Sequence, residues 1–215
     1  MSQNRRLPVY LLLDTSGSMV GEPIVAVNNG VRTMLGELRR DPHAMETVSL
    51  SLVTFDRKST VMFPLTPLED VQFDDLEPPN SGPTHLGEGL KDVLEMVDRD
   101  VLQTTASQRG DWQPFLFVMT DGRPSDMAEF AEQVKRINSS NRFREIIGCA
   151  AGASADTDSL AMFCTHVAKL DELTGAAFAG FFTWVSAAIA GNNRSMGVTS
   201  AAVLPPAPAG LTFID

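Results

Sequence analysis

The chain alternates two kinds of apolar spacing. Segments rich in β-forming apolar residues, about 7 to 13, Val48 to Phe55, Trp112 to Met119, Arg144 to Ala150 and His166 to Leu170, read as strands. Between them apolar residues recur at threes and fours. Ile24, Val27, Val31, Met34, Leu35 and Leu38 predict a helix from about Pro23 to Arg40, which Asp41-Pro42 stops. Leu86, Leu90, Val93, Leu94, Val97 and Val101 predict a second helix, and Met127, Phe130, Val134 and Ile137 a third. Asp126 and Glu129 precede or open the third with the spacing of a capping box. A brief helix is expected over Ser159 to Cys164.

Strands alternating with helices imply a mainly parallel sheet covered on both faces. Thr60 to Phe63, joined to the preceding strand through Asp56-Arg57-Lys58-Ser59, adds one short antiparallel edge strand. The prediction is a single doubly wound α/β domain over residues 1–191. An Ala/Pro-rich tail, 192–215, follows and is expected to be extended or mobile. Residues 64 to 83 hold five prolines and five carboxylates, which predicts a surface loop.

Leu173 to Asn193 carries no charged residue and is long enough to span a bilayer. Yet Gly175, Gly180, Thr183 and Ser186 dilute it, and Phe178, Phe181, Phe182, Val185 and Ile189 fall on one side at helical spacing. It reads as a helix packed on the sheet rather than a membrane span.

The net charge of −10 over 215 residues argues against nucleic acid, which needs clustered Lys and Arg. The two cysteines, Cys149 and Cys164, lack the spacing of a zinc site or redox pair and read as reduced thiols. Met1 to Pro8 has two arginines and no apolar signal core, so the expected location is cytoplasmic.

Candidate chemistry sits where strands end. Asp14-Thr15-Ser16-Gly17-Ser18 follows the first strand, Thr84 precedes the second helix, and Asp121 follows the run Phe115 to Met119. Open parallel sheets bind ligands outside the carboxyl ends of their strands, where strand order reverses. There Asp14, Ser16, Ser18, Thr84 and Asp121 can meet, and short oxygen side chains on tight turns suit a hard metal ion. Asp126 could orient such a site or simply cap its helix. His85 is expected to face solvent at a helix start, and His43 and His166 have no partner spacing for zinc.

The D-x-S-x-S motif with a Thr and a third-loop Asp resembles the metal-ion-dependent adhesion site of von Willebrand factor A (VWA) domains, and the likeness extends from about Leu7 to about Gly191. The stretches VYLLLDTSGSMVGEPI, SGPTHLGEGL and GDWQPFLFVMTDGRPSD look like short bacterial VWA proteins encoded with tellurium-resistance genes. The resemblance implies that the hydroxyls of Ser16, Ser18 and Thr84 touch the ion, with Asp14 and Asp121 acting partly through water. It implies a non-catalytic protein-binding module in stress signalling, acting with a protein kinase and a metal-dependent Ser/Thr protein phosphatase.

Hard oxygen ligands favour Mg²⁺, with Mn²⁺ or Ca²⁺ as alternatives, and an ion with mostly neutral ligands is expected to take a partner's Glu or Asp. The competing reading is a metal-dependent phosphoryl-transfer enzyme, since an aspartate after the first strand can be a nucleophile. Phosphatases of that kind use D-x-D, and here Ser16 stands at the second position. There is also no phosphate loop of the G-x-x-x-x-G-K-S/T type and no G-x-S-x-G elbow.

Overall fold

Leu7, Val9, Leu11 and Leu13 belong to one core cluster and Tyr10 and Leu12 to another, and all six are buried. This is the period-two alternation of a strand with both faces covered. A computed structural model describes residues 5–79, 82–152, 155–195 and 204–214. In it the strand β1 spans Leu7–Asp14, followed by a single 3-10 turn, Gly17–Met19, and helix α1, Glu22–Arg39. Then come α2 (Pro42–Thr47), β2 (Val48–Phe55), β3 (Ser59–Pro67) and α3 (Leu86–Asp100). The second half holds β4 (Phe115–Thr120), α4 (Met127–Ser139), β5 (Glu145–Ala151), α5 (Thr157–Ala161), β6 (His166–Leu170), α6 (Gly175–Ser195) and β7 (Leu211–Ile214).

The strands form one sheet in the order β3-β2-β1-β4-β5-β6-β7. The five inner strands are parallel and each edge strand is antiparallel to its neighbour. The cluster holding Leu7 to Leu13 is closed by α1 and α6, and the one holding Tyr10 and Leu12 by α3, α4 and α5. From β1 the chain moves outward to β2 and β3, then crosses back to β4 on the other side of β1. The reversal of strand order therefore lies between β1 and β4, the crevice expected for ligands.

The expected α/β architecture is present; α2 was not anticipated and β4 begins at Phe115 rather than Trp112, and three further differences bear on packing. First, β3 runs on through Pro64 to Pro67, which were expected to belong to the loop. The pairing of Leu50 with Thr66 and Leu52 with Phe63 places an extra residue on β3, and Pro64 lies in that bulge on an edge, where a missing N–H is tolerated.

Second, the following loop is tied down. Leu68, Val71 and Leu76 are buried, and the Asn28 amide on α1 donates to Leu76 O (3.1 Å) while its oxygen accepts from Leu76 N (2.9 Å). Third, the expected mobile tail supplies β7, paired to β6 from Val167↔Ile214 to Leu170↔Leu211. Residues 192–195 of that segment instead close α6, and Leu211–Ile214 dock on the sheet rather than run free. Residues 196–203 and 215 of that tail, 80–81 of the 64–83 loop and 1–4 of the N-terminal segment lie outside the described residues.

In α6, Phe178, Phe181, Phe182, Val185 and Ile189 are all buried against the sheet, on the face their spacing indicated. Among the described residues no helix is long and apolar enough to cross a membrane. Cys149 and Cys164 are free thiols, and burial pushes both upward in pKa.

Candidate metal centre

β1 ends at Asp14 because the next residue turns away: Thr15 N and Oγ1 both donate to Phe55 O, at 2.9 and 3.3 Å. The Asp14 carboxylate then folds over its own chain. Oδ1 accepts from Ser16 N at 2.7 Å, an Asx-type turn, and Oδ2 accepts from Thr120 Oγ1 at 2.6 Å. Leu13 is level with Met119 in the β1–β4 pairing, so the next step places Asp14 beside Thr120.

From that anchor a line of short hydroxyls crosses the crevice. Ser16 Oγ and Ser18 Oγ are 3.1 Å apart, and Ser18 Oγ donates to Asp121 Oδ1 at 2.8 Å. Thr84 joins from α3's side. A Cβ added at Gly122 would lie 3.2 Å from Thr84 Oγ1, so that hydroxyl faces the turn that carries Asp121. Thr84 N donates to Ser125 Oγ (3.0 Å) and Ser125 N donates to Thr84 O (2.8 Å), a reciprocal clasp between the two loops. The structure thus gathers all five sequence-selected residues on three neighbouring loops at the switch point.

Asp14 is 1 % exposed. Burial pushes its carboxyl up to about 6 against the pull of hydrogen bonds from Ser16 and Thr120, and the nearby Asp121 carboxylate adds to the rise. Asp121 is raised too, by burial, while the Ser18 bond opposes the shift. Among the described residues neither carboxylate forms an ion pair with Lys or Arg, and the adjacent Arg123 lies 3.5 Å from Asp156 instead. A buried carboxylate and a half-buried one framed by hydroxyls are what a small divalent cation would stabilise. The donors are all oxygen, and among the described residues no cluster of three or more His, Cys, Asp or Glu suits a metal. A nitrogen- and sulfur-liganded zinc site is therefore not offered.

Two residues shape the site in ways their spacing did not reveal. Thr120 fixes the Asp14 carboxylate. Of the two readings of Asp126, orienting the site or capping its own helix, the second is not met: its side chain makes no cap bond there. It reaches α3 instead, accepting from Gly87 N at 3.2 Å and Glu88 N at 2.9 Å, and so caps the helix that begins after Thr84. The close approach requires Gly87, since a Cβ there would overlap the Phe130 backbone of α4. Asp126→Ala is expected to cost about 1–2 kcal/mol of stability. It should also weaken Mg²⁺ binding, because the Thr84 loop loses its brace; unchanged affinity in a metal titration would separate Asp126 from the site.

The histidines stay outside. His85 takes the first position before α3, its N donating to Asp56 O (2.8 Å) and its ring 3.8 Å from Glu88. His166 lies 3.5 Å from Glu145 at the far end of its strand, and His43 is exposed.

The sequence model of the von Willebrand factor type A domain matches residues 9–172. No curated protein matches the chain in sequence. Among solved structures it is similar to proximal thread matrix protein 1 from the mussel byssus with a zinc-occupied MIDAS motif, at TM-score 0.61 and 19% identity, covering 85% of this chain and 48% of that one. It is similar to the pilus adhesin SpaC of Lactobacillus rhamnosus GG in its open conformation (TM-score 0.69, 15% identity, 89% and 31% covered). The PilB minor pilin of Streptococcus sanguinis gives 0.64 at 12% identity, with 88% and 62% covered. These identities carry the fold alone, and the chain spans less than two thirds of each of the three proteins. With the family match running from the first strand to the segment after the sixth, in a sheet whose order reverses beside Asp14, the chain belongs to the von Willebrand factor type A domain family.

Proposed function

We propose that this chain is a divalent-metal-dependent protein-binding module whose ion is held by Asp14, Ser16, Ser18, Thr84 and Asp121. VWA domains often mediate metal-dependent protein–protein interaction. What carries the reading here is the pair of carboxylates, buried Asp14 and half-buried Asp121, joined through Ser16 and Ser18 without a cationic partner among the described residues. Mg²⁺ fits this all-oxygen set best, with Mn²⁺ and Ca²⁺ as alternatives. When bound, the ion supplies a Lewis-acidic position that accepts a Glu or Asp oxygen from a partner.

The chain's own residues do the rest. Thr120 and Ser16 N hold the Asp14 carboxylate in one orientation, and the Ser125 clasp keeps Thr84 beside the Asp121 turn. A binding role is favoured over catalysis because Ser16 stands where a phosphatase of the D-x-D type has its second aspartate and, among the described residues, no histidine reaches the crevice hydroxyls.

The partners we assign are a protein kinase and a metal-dependent Ser/Thr protein phosphatase, in the cytoplasm of a bacterium, in tellurium-resistance or related stress signalling. This assignment rests on the stretches around Asp14, Thr84 and Asp121. Immobilised protein should recover kinase and phosphatase in Mg²⁺, and lose at least ten-fold of that recovery with chelator or with Thr84→Ala. Equal recovery in all three would sink the docking claim.

A further inference from the structure

At the opposite end of the sheet, where β1, β4 and β5 begin, lies a groove of about 790 Å³. It is lined by the end of α3, the loop from 102 to 114, the loop from 140 to 144, and Arg5. It stands about 20 Å or more from the metal loops, the length of β1. Its charge runs against that of the chain. The protein carries −10 overall, yet this groove presents Arg5, Arg142 and Arg144.

Its two carboxylates are already used. Asp98 pairs with Arg142. Asp111 takes a forked pair of bonds from Arg6 (3.0 and 2.6 Å) and a third from Leu102 N (2.9 Å). Arg5 is left with carbonyl oxygens, donating to Gly110 O at 2.7 Å and Asp111 O at 2.9 Å, its guanidinium 3.7 Å over the Trp112 ring. Among the described residues neither Arg5 nor the exposed Arg109 has an ion-pair partner, and burial and then Arg109 hold the Arg5 pKa below its ordinary value. Asp111 offsets part of this charge, but its oxygens are taken by Arg6 and Leu102 N, so the Arg5 guanidinium at the groove wall bonds carbonyl oxygens alone and a bound anion would stabilise it.

The geometry points to a second binding site in this groove, for a phosphorylated peptide segment whose phosphate is held by Arg5 with Arg144 alongside and by Arg109 reaching over from the exposed part of the 102–114 loop. Guanidinium forks match phosphate oxygens in pairs, and a phosphate monoester brings about two negative charges. Exposed Leu102, with Val101 and Pro114, offers apolar contact to residues beside the phosphate. A nucleotide fits less well. Trp112 is the one aromatic residue lining the groove, and its ring already packs against the core and under Arg5. A polyanion such as nucleic acid is opposed by the net charge of the rest of the molecule. This site does not depend on the metal reading.

The test keeps the two apart by working in chelator. The peptide acetyl-Gly-Ala-pSer-Ala-Gly-amide is titrated into ¹⁵N-labelled full-length protein, whose two tryptophans give two indole signals. Trp112 should shift saturably and Trp184 should not. Affinity should fall at least ten-fold in Arg5→Gln and in Arg109→Gln, and the unphosphorylated peptide should leave Trp112 unmoved. Arg109 is exposed, so its variant decides the matter if Arg5→Gln fails to fold. Absence of a saturable shift, or equal affinity for the variants or for the Ser peptide, would overturn the site. Equal binding of inorganic phosphate, or tighter binding of AMP, would overturn the peptide as its occupant.

Discussion

The Asp14→Ala variant is expected to melt at the same temperature in Mg²⁺ as in chelator, while the wild type gains roughly 5–10 °C at an ion concentration about 100 times the Kd. An ion bound only by the folded arrangement stabilises it by about 2.7 kcal/mol at that ratio, and a domain of this size converts each kcal/mol into about 2–4 °C. Asp14 is the strongest single lever because it is both charged and structural. One oxygen sets the Ser16 turn and the other holds Thr120, so its loss removes a negative charge and frees the loop that presents Ser16 and Ser18.

Ser18→Ala should retain a smaller Mg²⁺ response. The Ser18 bond to Asp121 crosses between loops rather than forming a turn, so the folded core survives its removal. Melting curves of the wild type and both variants, with and without chelator, settle the assignment. Equal gains in wild type and Asp14→Ala would take Asp14 out of the metal centre.

The loop residues that converge at the crevice were legible because each is a short polar side chain interrupting an apolar run at a strand's carboxyl end. Thr120 was not. A threonine closing an apolar run looks like strand, and only the pairing of Leu13 with Met119 puts it next to Asp14. Asp126 was legible only in part, for a related reason. Its spacing to Glu129 is a local signal, whereas its actual partners, Gly87 N and Glu88 N, lie almost forty residues away in sequence. Local spacing identifies which groups need a hydrogen-bond partner; the fold decides which partner they reach.

Composition hid the tail in the same way. The run of alanine and proline before Gly210 suggested an extended, unattached chain, but Leu211-Thr212-Phe213-Ile214 is a period-two segment of its own, and Leu211 is 5 % exposed. The strand's neighbours are large. The Phe213 ring lies 5.4 Å from that of Trp184 on α6 and 6.2 Å from that of His166 on β6, and Trp184 Nε1 donates to Pro205 O at 2.9 Å.

Deleting Leu204 to Asp215 therefore uncovers part of the α6 side of the core and leaves Trp184 without its acceptor. The loss should be at least that of a large-to-small core substitution, about 2–5 kcal/mol, which for this chain length lowers the melting temperature by roughly 4–20 °C. It also strips the antiparallel partner from β6, leaving a row of unpaired backbone groups ready to pair with another chain. The truncated protein should consequently associate at concentrations where the full chain does not, as light scattering would report. Phe213→Ala should give part of the thermal loss without the association, since it removes the ring contact and keeps the strand. A truncation that melts within about 1 °C of the full chain would show that β7 adds nothing to the fold, and would return the tail to the mobile segment its composition suggests.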